Sequence, residues 1–334
     1  MKGDTPARKR PTRADVAKLA GVSVATVSFA LNHDPRISPP TAQRVIEAAS
    51  QLGYRPNTLA KSLQSGITHT LGLVMPDISN PYFGALAEQL EQAAIERGCT
   101  LLVNLSHGDP GLERTRIDEL LNRQVDAIFI SSAQSDSELK ELSRTGHHIV
   151  LLDRSQPVGG LRSVSSDLHQ AAYDATMHLF EHGRRTIALL AGSDNPADMR
   201  TVGWRDACRN AGVPAGPLVS SGFTAQDGYL STLNMLDETQ NHIDAIFASS
   251  DLVCVGALRA VRERGLRVPD DIAMISLDGT FITEYTDPPM TVIQQDTAAI
   301  AHHAVAAALD ADAPLTQLIG TTLMLRRSCG CPDL

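Results

Sequence analysis

The chain is poor in aromatic side chains (4%) and in cysteine (five), and none of its apolar runs approaches the ~18 residues that a membrane-spanning helix needs. No such helix is therefore expected. The basic N-terminus, Met1 to Arg13, lacks the apolar stretch that a secretion signal places after its charges. Cys99, Cys208 and Cys254 stand alone in an odd set, which fits reduced thiols in a cytoplasm and not a disulfide framework. There is no HExxH, no Walker A loop, no GxSxG and no assignable histidine beside a serine or cysteine nucleophile, so an enzyme is not expected. His302-His303 has no third ligand at useful spacing, and Cys329-Gly330-Cys331 is a lone pair near the C-terminus. Neither predicts a metal, and no cofactor is expected.

What is present is a globular balance, 43% apolar and 20% charged, in a chain of 334 residues that has room for two or three cores. The charge is uneven. Ten of the 29 basic residues but only four of the 38 acidic ones fall within residues 1–66, net +6, and the remainder carries −15. Phosphate attraction is screened within about 10 Å, so a basic head on an acidic body is the asymmetry expected when only the head meets nucleic acid.

The head reads as three helices. Thr12 and Asp15 have capping-box spacing, with Ala14, Ala17 and Leu19 behind them, and predict a helix from about Arg13 to Ala20. Gly21 breaks it, and Ser23 is placed to cap a second helix carrying Val24, Val27 and Leu31 at i, i+3 and i+7. Ser38-Pro39-Pro40 offers a third start, Val45, Ile46 and Ala49 recur helically, and Gly53 ends the run. A helix, a glycine turn and a helix suit the second helix to a major groove about 12 Å wide.

The run Asp15-Val16-Ala17-Lys18-Leu19-Ala20-Gly21-Val22-Ser23-Val24-Ala25-Thr26-Val27-Ser28, followed by Leu31-Asn32, resembles the head of the lactose/galactose repressor family. The likeness continues through Leu52-Gly53-Tyr54-Arg55-Pro56-Asn57 and Leu59-Ala60-Lys61-Ser62-Leu63, then along nearly the whole chain. It implies a helix-turn-helix DNA-binding domain at 1–56, a hinge helix at 57–66 and an effector-binding and dimerisation domain at 67–334. By this resemblance Val24, Ala25 and Phe29 read bases, while Ser23, Thr26, Ser28 and Asn32 contact phosphate or cap. Many relatives carry a polar or basic residue in place of Phe29. A phenyl ring cannot form the paired hydrogen bonds that Arg gives to guanine, which points to thymine methyls as its partner. Asn57 and Ala60 fall in the hinge, and the leucine matching Leu63 wedges between base steps in the minor groove. Read from the residues alone, the alternative is that Val24, Ala25 and Phe29 are helix packing and Leu63 is an ordinary linker leucine docked on the body.

From Thr70 onward short apolar runs alternate with amphipathic stretches, the pattern of parallel sheets flanked by helices. One set of strands is expected at Leu71–Met75, Leu101–Leu105, Ala127–Ile130 and His148–Leu152. A second is expected at Thr186–Ala191, Leu218–Ser220, Ala245–Ser249 and Ile272–Ser276. The fold class is α/β: the helix-turn-helix head joined by the hinge helix to a two-lobed, periplasmic-binding-protein-like body of doubly wound parallel sheets. The resemblance implies lobes of about 67–164 plus 296–322 and 166–293 plus 325–334, with crossings near Ser165, Gln294 and Leu323.

In doubly wound folds ligands bind beyond the carboxyl ends of the strands, which points to loops beginning at Pro76, Asp153, Gly192, Phe223, Ser250 and Asp278. Tyr82 and Phe83 can stack on a sugar or base, and Asp153, Arg200 and Asp278 can fix hydroxyls by charge-assisted hydrogen bonds. Ser250 and Gln295 are further candidates, and the resemblance implies that Phe223 packs against the ligand. Plainer roles stand beside these: Asp153 and Asp251 as helix or turn caps, Tyr82 as core. The mixed lining suits a polyhydroxylated effector. The expectation is a cytoplasmic homodimer, with no appended heptad segment before Leu334, that represses transcription from a palindromic double-stranded DNA operator under control of a small carbohydrate-like effector. The alternative is a solute-binding or sensor protein without a DNA role, for which an export signal would be expected in place of a basic helix-turn-helix.

Overall fold

Residues 11–32, 34–55, 66–154, 157–193, 195–239 and 242–332 are described by the computed structural model, whose contacts divide the chain into two units between Thr68 and His69. In the first unit, α1 (Arg13–Ala20) begins at Thr12, whose backbone amide donates to Asp15 Oδ2 at 2.8 Å while its hydroxyl accepts from the Asp15 amide. Gly21 ends α1 at φ 67°, a left-handed conformation that glycine takes at little cost. Ser23 caps α2 (Val24–Leu31), which is bent 98° from α1. Pro39 opens α3 (Pro39–Leu52), although the hydroxyl of Ser38 donates to Thr41 Oγ1 and caps no amide. The core of this unit buries Val45, Ala48 and Ala49 against Val16, Ala17, Val27 and Ala30. Residues 56–65, which hold the expected hinge positions Asn57, Ala60 and Leu63, lie outside the described residues.

The second unit holds two six-stranded sheets. In the first, β1 (Thr70–Met75), β2 (Thr100–Leu105), β3 (Ala127–Ser131), β4 (Ile149–Leu152), β5 (Arg162–Ser166) and β11 (Thr316–Ile319) lie in the order β11-β5-β4-β3-β1-β2, all parallel. In the second, β6 (Ile187–Ala191), β7 (Leu218–Ser220), β8 (Ala245–Ala248), β9 (Ala273–Asp278), β10 (Thr291–Gln295) and β12 (Thr321–Met324) lie in the order β12-β10-β9-β8-β6-β7, with β12 antiparallel to β10.

Both faces of each sheet are covered, which is why the central strands β1, β3, β4, β6, β8 and β9 are apolar on both sides. Leu71, Leu73 and Met75 of β1 face Leu86 and Leu90 of α4 (Pro81–Glu96) and Ile300 and Ala304 of α11 (Thr297–Leu309). Val74 turns the other way, toward Ile117 and Leu120 of α5 (Pro110–Asn122) and Leu139 and Leu142 of α6 (Asp136–Ser143). In the second sheet Ile187 and Leu189 pack on α7 (Leu168–Glu181) and α8 (Met199–Asn210), which contribute Ala171, Ala175 and Trp204. Ala188 and Leu190 pack on α9 (Ala225–Thr239) and α10 (Asp251–Glu263) through Met235, Leu236, Val253 and Ala257. No single helix among the described residues is long and apolar enough to cross a membrane.

The chain passes from the first sheet to the second between β5 and α7, and returns between β10 and α11. The third crossing, which the resemblance places near Leu323, lies at Gly320 instead. β11 ends at Ile319 on β5, and β12 begins at Thr321 with Leu323 already paired to Ile293 of β10. An extended run interrupted by one glycine reads as a single strand, and only the pairing assigns its halves to different sheets.

The closest helix packing is between α9 and α10. A Cβ on Gly256 would overlap the Ala225 carbonyl oxygen, and one on Gly228 would overlap that of Val253. Gly256→Ala must therefore separate the two backbones and should destabilise the protein by about 1–3 kcal/mol or more. Gly84→Ala in α4 meets nothing nearer than the Ile78 carbonyl oxygen at 3.6 Å and should instead stabilise by about 0.5–1 kcal/mol. Denaturant unfolding of both variants beside the wild type checks the contrast.

Candidate functional site

In the head, Val27 and Ala30 hold α2 to the core and leave Val24, Ala25 and Phe29 exposed on its other face. Ser23 Oγ accepts from the Thr26 amide at 3.0 Å and lies 2.8 Å from Thr26 Oγ1. Asn32 donates from Nδ2 to the Ser28 carbonyl at 2.9 Å. One neighbour of Phe29 escapes the sequence reading: the Arg36 guanidinium carbon sits 4.4 Å from its ring centroid, a cation–π distance. Asp34 fixes that guanidinium through two hydrogen bonds, at 2.9 and 2.7 Å, and Arg36 holds the Asp34 carboxyl down at about 2.

In the body, each sheet reverses its strand order beside its first strand, between β1 and β3 and between β6 and β8. The helices leaving these switch points carry Tyr82 and Arg200 in their first turns. Buried Tyr82 donates its hydroxyl to Asp153 Oδ1 at 2.7 Å, and Ser131 donates to Oδ2 at 2.9 Å. Asp153 follows β4 with φ 58°. Asp278 closes β9 at φ 119° and accepts from Gln295 Nε2 at 2.8 Å and from the Asp251 amide at 3.2 Å. Non-glycine residues at such angles carry backbone strain, which clusters at functional sites.

Arg200, with 18% of its side chain exposed, grips Asp198 through Nε and one terminal nitrogen at 3.0 and 2.9 Å. Its guanidinium lies 5.6 Å from the Phe223 ring centroid, and Gly192 makes room for that ring, since a Cβ there would overlap it. Burial works against the charge of Arg200, but Asp198, then Asp278 and Asp153, more than offset it and raise its pKa. One guanidinium is thus coupled to carboxylates from both sheets.

The carboxylates respond to the same burial. It pushes Asp153 up, against hydrogen bonds from Tyr82 and Ser131 and the charge of Arg200. Asp278 is pushed well up by burial and then by the Asp251 charge, and Tyr82 by burial and then by Asp153. Gln295 Oε1 is buried with no hydrogen-bond partner among the described residues.

Two candidates have structural partners of their own. Ser250 is buried and caps α10, its hydroxyl accepting from the Val253 amide at 3.4 Å. Phe83 meets Tyr82 edge-on at 5.3 Å and packs on the first-lobe core. Asp251 is not the N-cap: the extended backbone of Ser250 gives that place to the serine, and Asp251 opens the helix with its carboxylate accepting from Ser276 Oγ and from the Thr280 amide and hydroxyl. Ser131, Asp198 and Asp251 were not legible as members of the cluster. Asp198 left a signal, an N-cap aspartate two residues before Arg200.

A helix-turn-helix unit followed by two doubly wound lobes, with carboxylates at the strand ends of both lobes acting on the charge of one arginine, defines a DNA-binding regulator with a ligand-sensing body. Residues 12–57 match the model of bacterial regulatory proteins of the lacI family, and residues 176–329 match the periplasmic binding protein-like domain. The chain is 35% identical over 294 residues to the HTH-type transcriptional regulator DegA of Bacillus subtilis strain 168, covering 86% of this chain and 87% of that one. It belongs to the LacI family and is a DNA-binding transcription regulator, not an enzyme. Among solved structures, the lac repressor dimer bound to operator and the anti-inducer ONPF superposes with TM-score 0.86 at 25% identity, over 96% of this chain and 99% of that one. The transcriptional regulator CelR–cellobiose complex superposes with TM-score 0.70 at 30% identity, over 96% and 100%.

The carboxylate pair makes a prediction about pH. Burial lifts Asp251 from 3.8 to about 6, outweighing hydrogen bonds from Ser276 and Thr280. A carboxyl raised by folding contributes stability that is complete below 3.8 and lost as pH rises through about 6. Asp278, pushed well up by burial and then by the Asp251 charge, adds to the same loss; Asp278→Asn removes that titrating carboxyl, and the new amide can donate to the unpartnered Gln295 Oε1. The fall in unfolding free energy across that window should be shallower in Asp278→Asn than in wild type, measured by denaturant titration at matched ionic strength.

Proposed function

We propose that this chain is a cytoplasmic repressor that acts as a homodimer on a palindromic operator, and that a small carbohydrate-like effector bound between its two lobes sets operator affinity. The observation that carries the reading is the coupling of Arg200 to Asp153 of one lobe and Asp278 of the other. Carboxylates and a guanidinium beside aromatic rings offer acceptors, donors and an apolar face, the set that a polyhydroxylated ring requires. Asp153, Asp278 and Arg200 would bind hydroxyls, Gln295 Oε1 would accept one, and Tyr82 and Phe223 would cover the ring, with Phe83 behind Tyr82 and Ser250 setting the start of α10. The cellobiose held by CelR and the operator-bound dimer of the lac repressor support the same assignment.

On the DNA side, Val24, Ala25 and Phe29 would meet base edges from the exposed face of α2, with Ser23, Thr26, Ser28 and Asn32 at phosphates. Asn57, Ala60 and Leu63 would act in the minor groove, with Leu63 as the wedge.

Screening sugars and nucleosides for thermal stabilisation of the full chain identifies the effector, since ligand at 100 times its Kd adds about 2.7 kcal/mol. With that compound, Arg200→Ala should lose roughly 10- to 100-fold in affinity, the worth of one charge-assisted hydrogen bond of about 1.5–3 kcal/mol, and should still shift a palindromic duplex. Unchanged affinity places the effector elsewhere. In parallel, Phe29→Arg should change the base selected at one position of each half-site, because a guanidinium reads guanine and a phenyl ring does not. Identical selected operators would remove Phe29 from the bases.

A further inference from the structure

Cys329 and Cys331, a lone pair in the sequence, are met in the fold by two histidines of the second lobe. His178 and His182 stand one turn apart where α7 ends, their ring centroids 4.5 Å apart. His178 Nε2 lies 3.3 Å from Cys329 Sγ and 3.7 Å from Cys331 Sγ, and His182 Nε2 lies 3.3 Å from Cys331 Sγ. One ligand atom from each of the four residues falls within 4.8 Å of all the others. Tetrahedral zinc, with Zn–N of about 2.0–2.1 Å and Zn–S of about 2.3 Å, sets its ligand atoms roughly 3.3–3.8 Å apart, so most of the required geometry already exists.

We propose that His178, His182, Cys329 and Cys331 form a Cys2His2 site for a zinc ion. Both thiols give their protons to solvent as two Zn–S bonds form, and the imidazoles ligate as neutral rings. Four protein ligands leave no open position, so the site is structural and not catalytic. Cys329 is fully buried and accepts a hydrogen bond from Thr291 Oγ1 at 3.0 Å, which orients its sulfur, while His182 is exposed and gives the ion a way in. The site lies at the opposite end of the lobe from the carboxylate cluster. Thr291 is the first residue of β10, whereas Gln295, its last, bonds Asp278. The metal would pin the segment after β12 to α7, the helix by which the chain enters the second lobe.

The test uses the full chain. Reduced protein equilibrated with zinc and desalted should carry one zinc per chain by elemental analysis, and Cys331→Ser and His182→Ala should each lose it. Both substituted positions are partly exposed, so folding should survive, and circular dichroism checks that it does. Cobalt(II) in the wild type should show thiolate charge transfer and the strong visible bands of tetrahedral coordination, the former weakened in Cys331→Ser. Zinc retained by both variants, zinc absent from wild type, cobalt without thiolate charge transfer, or a Cys329–Cys331 disulfide formed in place of metal uptake would each overturn the proposal.

Discussion

A guanidinium drawn largely out of water must find carboxylates, because an uncompensated buried charge costs several kcal/mol. Arg200 meets that requirement first within its own lobe, through the two hydrogen bonds to Asp198, and then with charge from Asp153 and Asp278. Those two carboxylates are in turn held by Tyr82 and Ser131 on one side and by Gln295 and the Asp251 amide on the other. The chain of partners specifies one arrangement of the strand ends, and removing a member leaves a buried polar group unanswered.

The architecture makes this convergence possible. Parallel strands deliver all their carboxyl ends to one edge, so side chains far apart in sequence arrive together without long loops. Three crossings, at the ends of β5 and β10 and at Gly320, join two sheets that each have their own covered faces. The opposite edge of the second sheet gathers a different chemistry, thiol and imidazole. The head rests on a separate small core, so DNA contact and ligand contact are built on independent packing.

Local signals were read well because their physics is local. Thr12 and Asp15 form the capping box their spacing demands, Gly21 and Gly53 take the left-handed conformations that end α1 and α3, and β1–β4 and β6–β9 appear within a residue or two of the apolar runs that encode them, whereas β5, β10, β11 and β12, rich in Ser, Thr and Gln, carry no comparable run. Asp251 misled because two consecutive residues can both cap, and the backbone angles of Ser250 decide between them. The residues alone left Phe29 open between the packed and the outer face of α2; burial of Val27 and Ala30 decides for the outer face, and the Arg36 stacked on the ring depends on the turn after α2.

By itself, then, the sequence determined the helix-turn-helix head, the alternation of strands and helices, the charge asymmetry and the strand-end loops that carry Asp153, Phe223 and Asp278, because periodicity, capping and composition act over a few residues. Tertiary structure alone decided that β11 and β12 part at Gly320, that Asp251 lies against Asp278, and that His178 meets Cys331 across 153 residues of chain. Those outcomes depend on which strands become neighbours. Strand order is a property of the whole packed sheet, and no window of a few residues contains it.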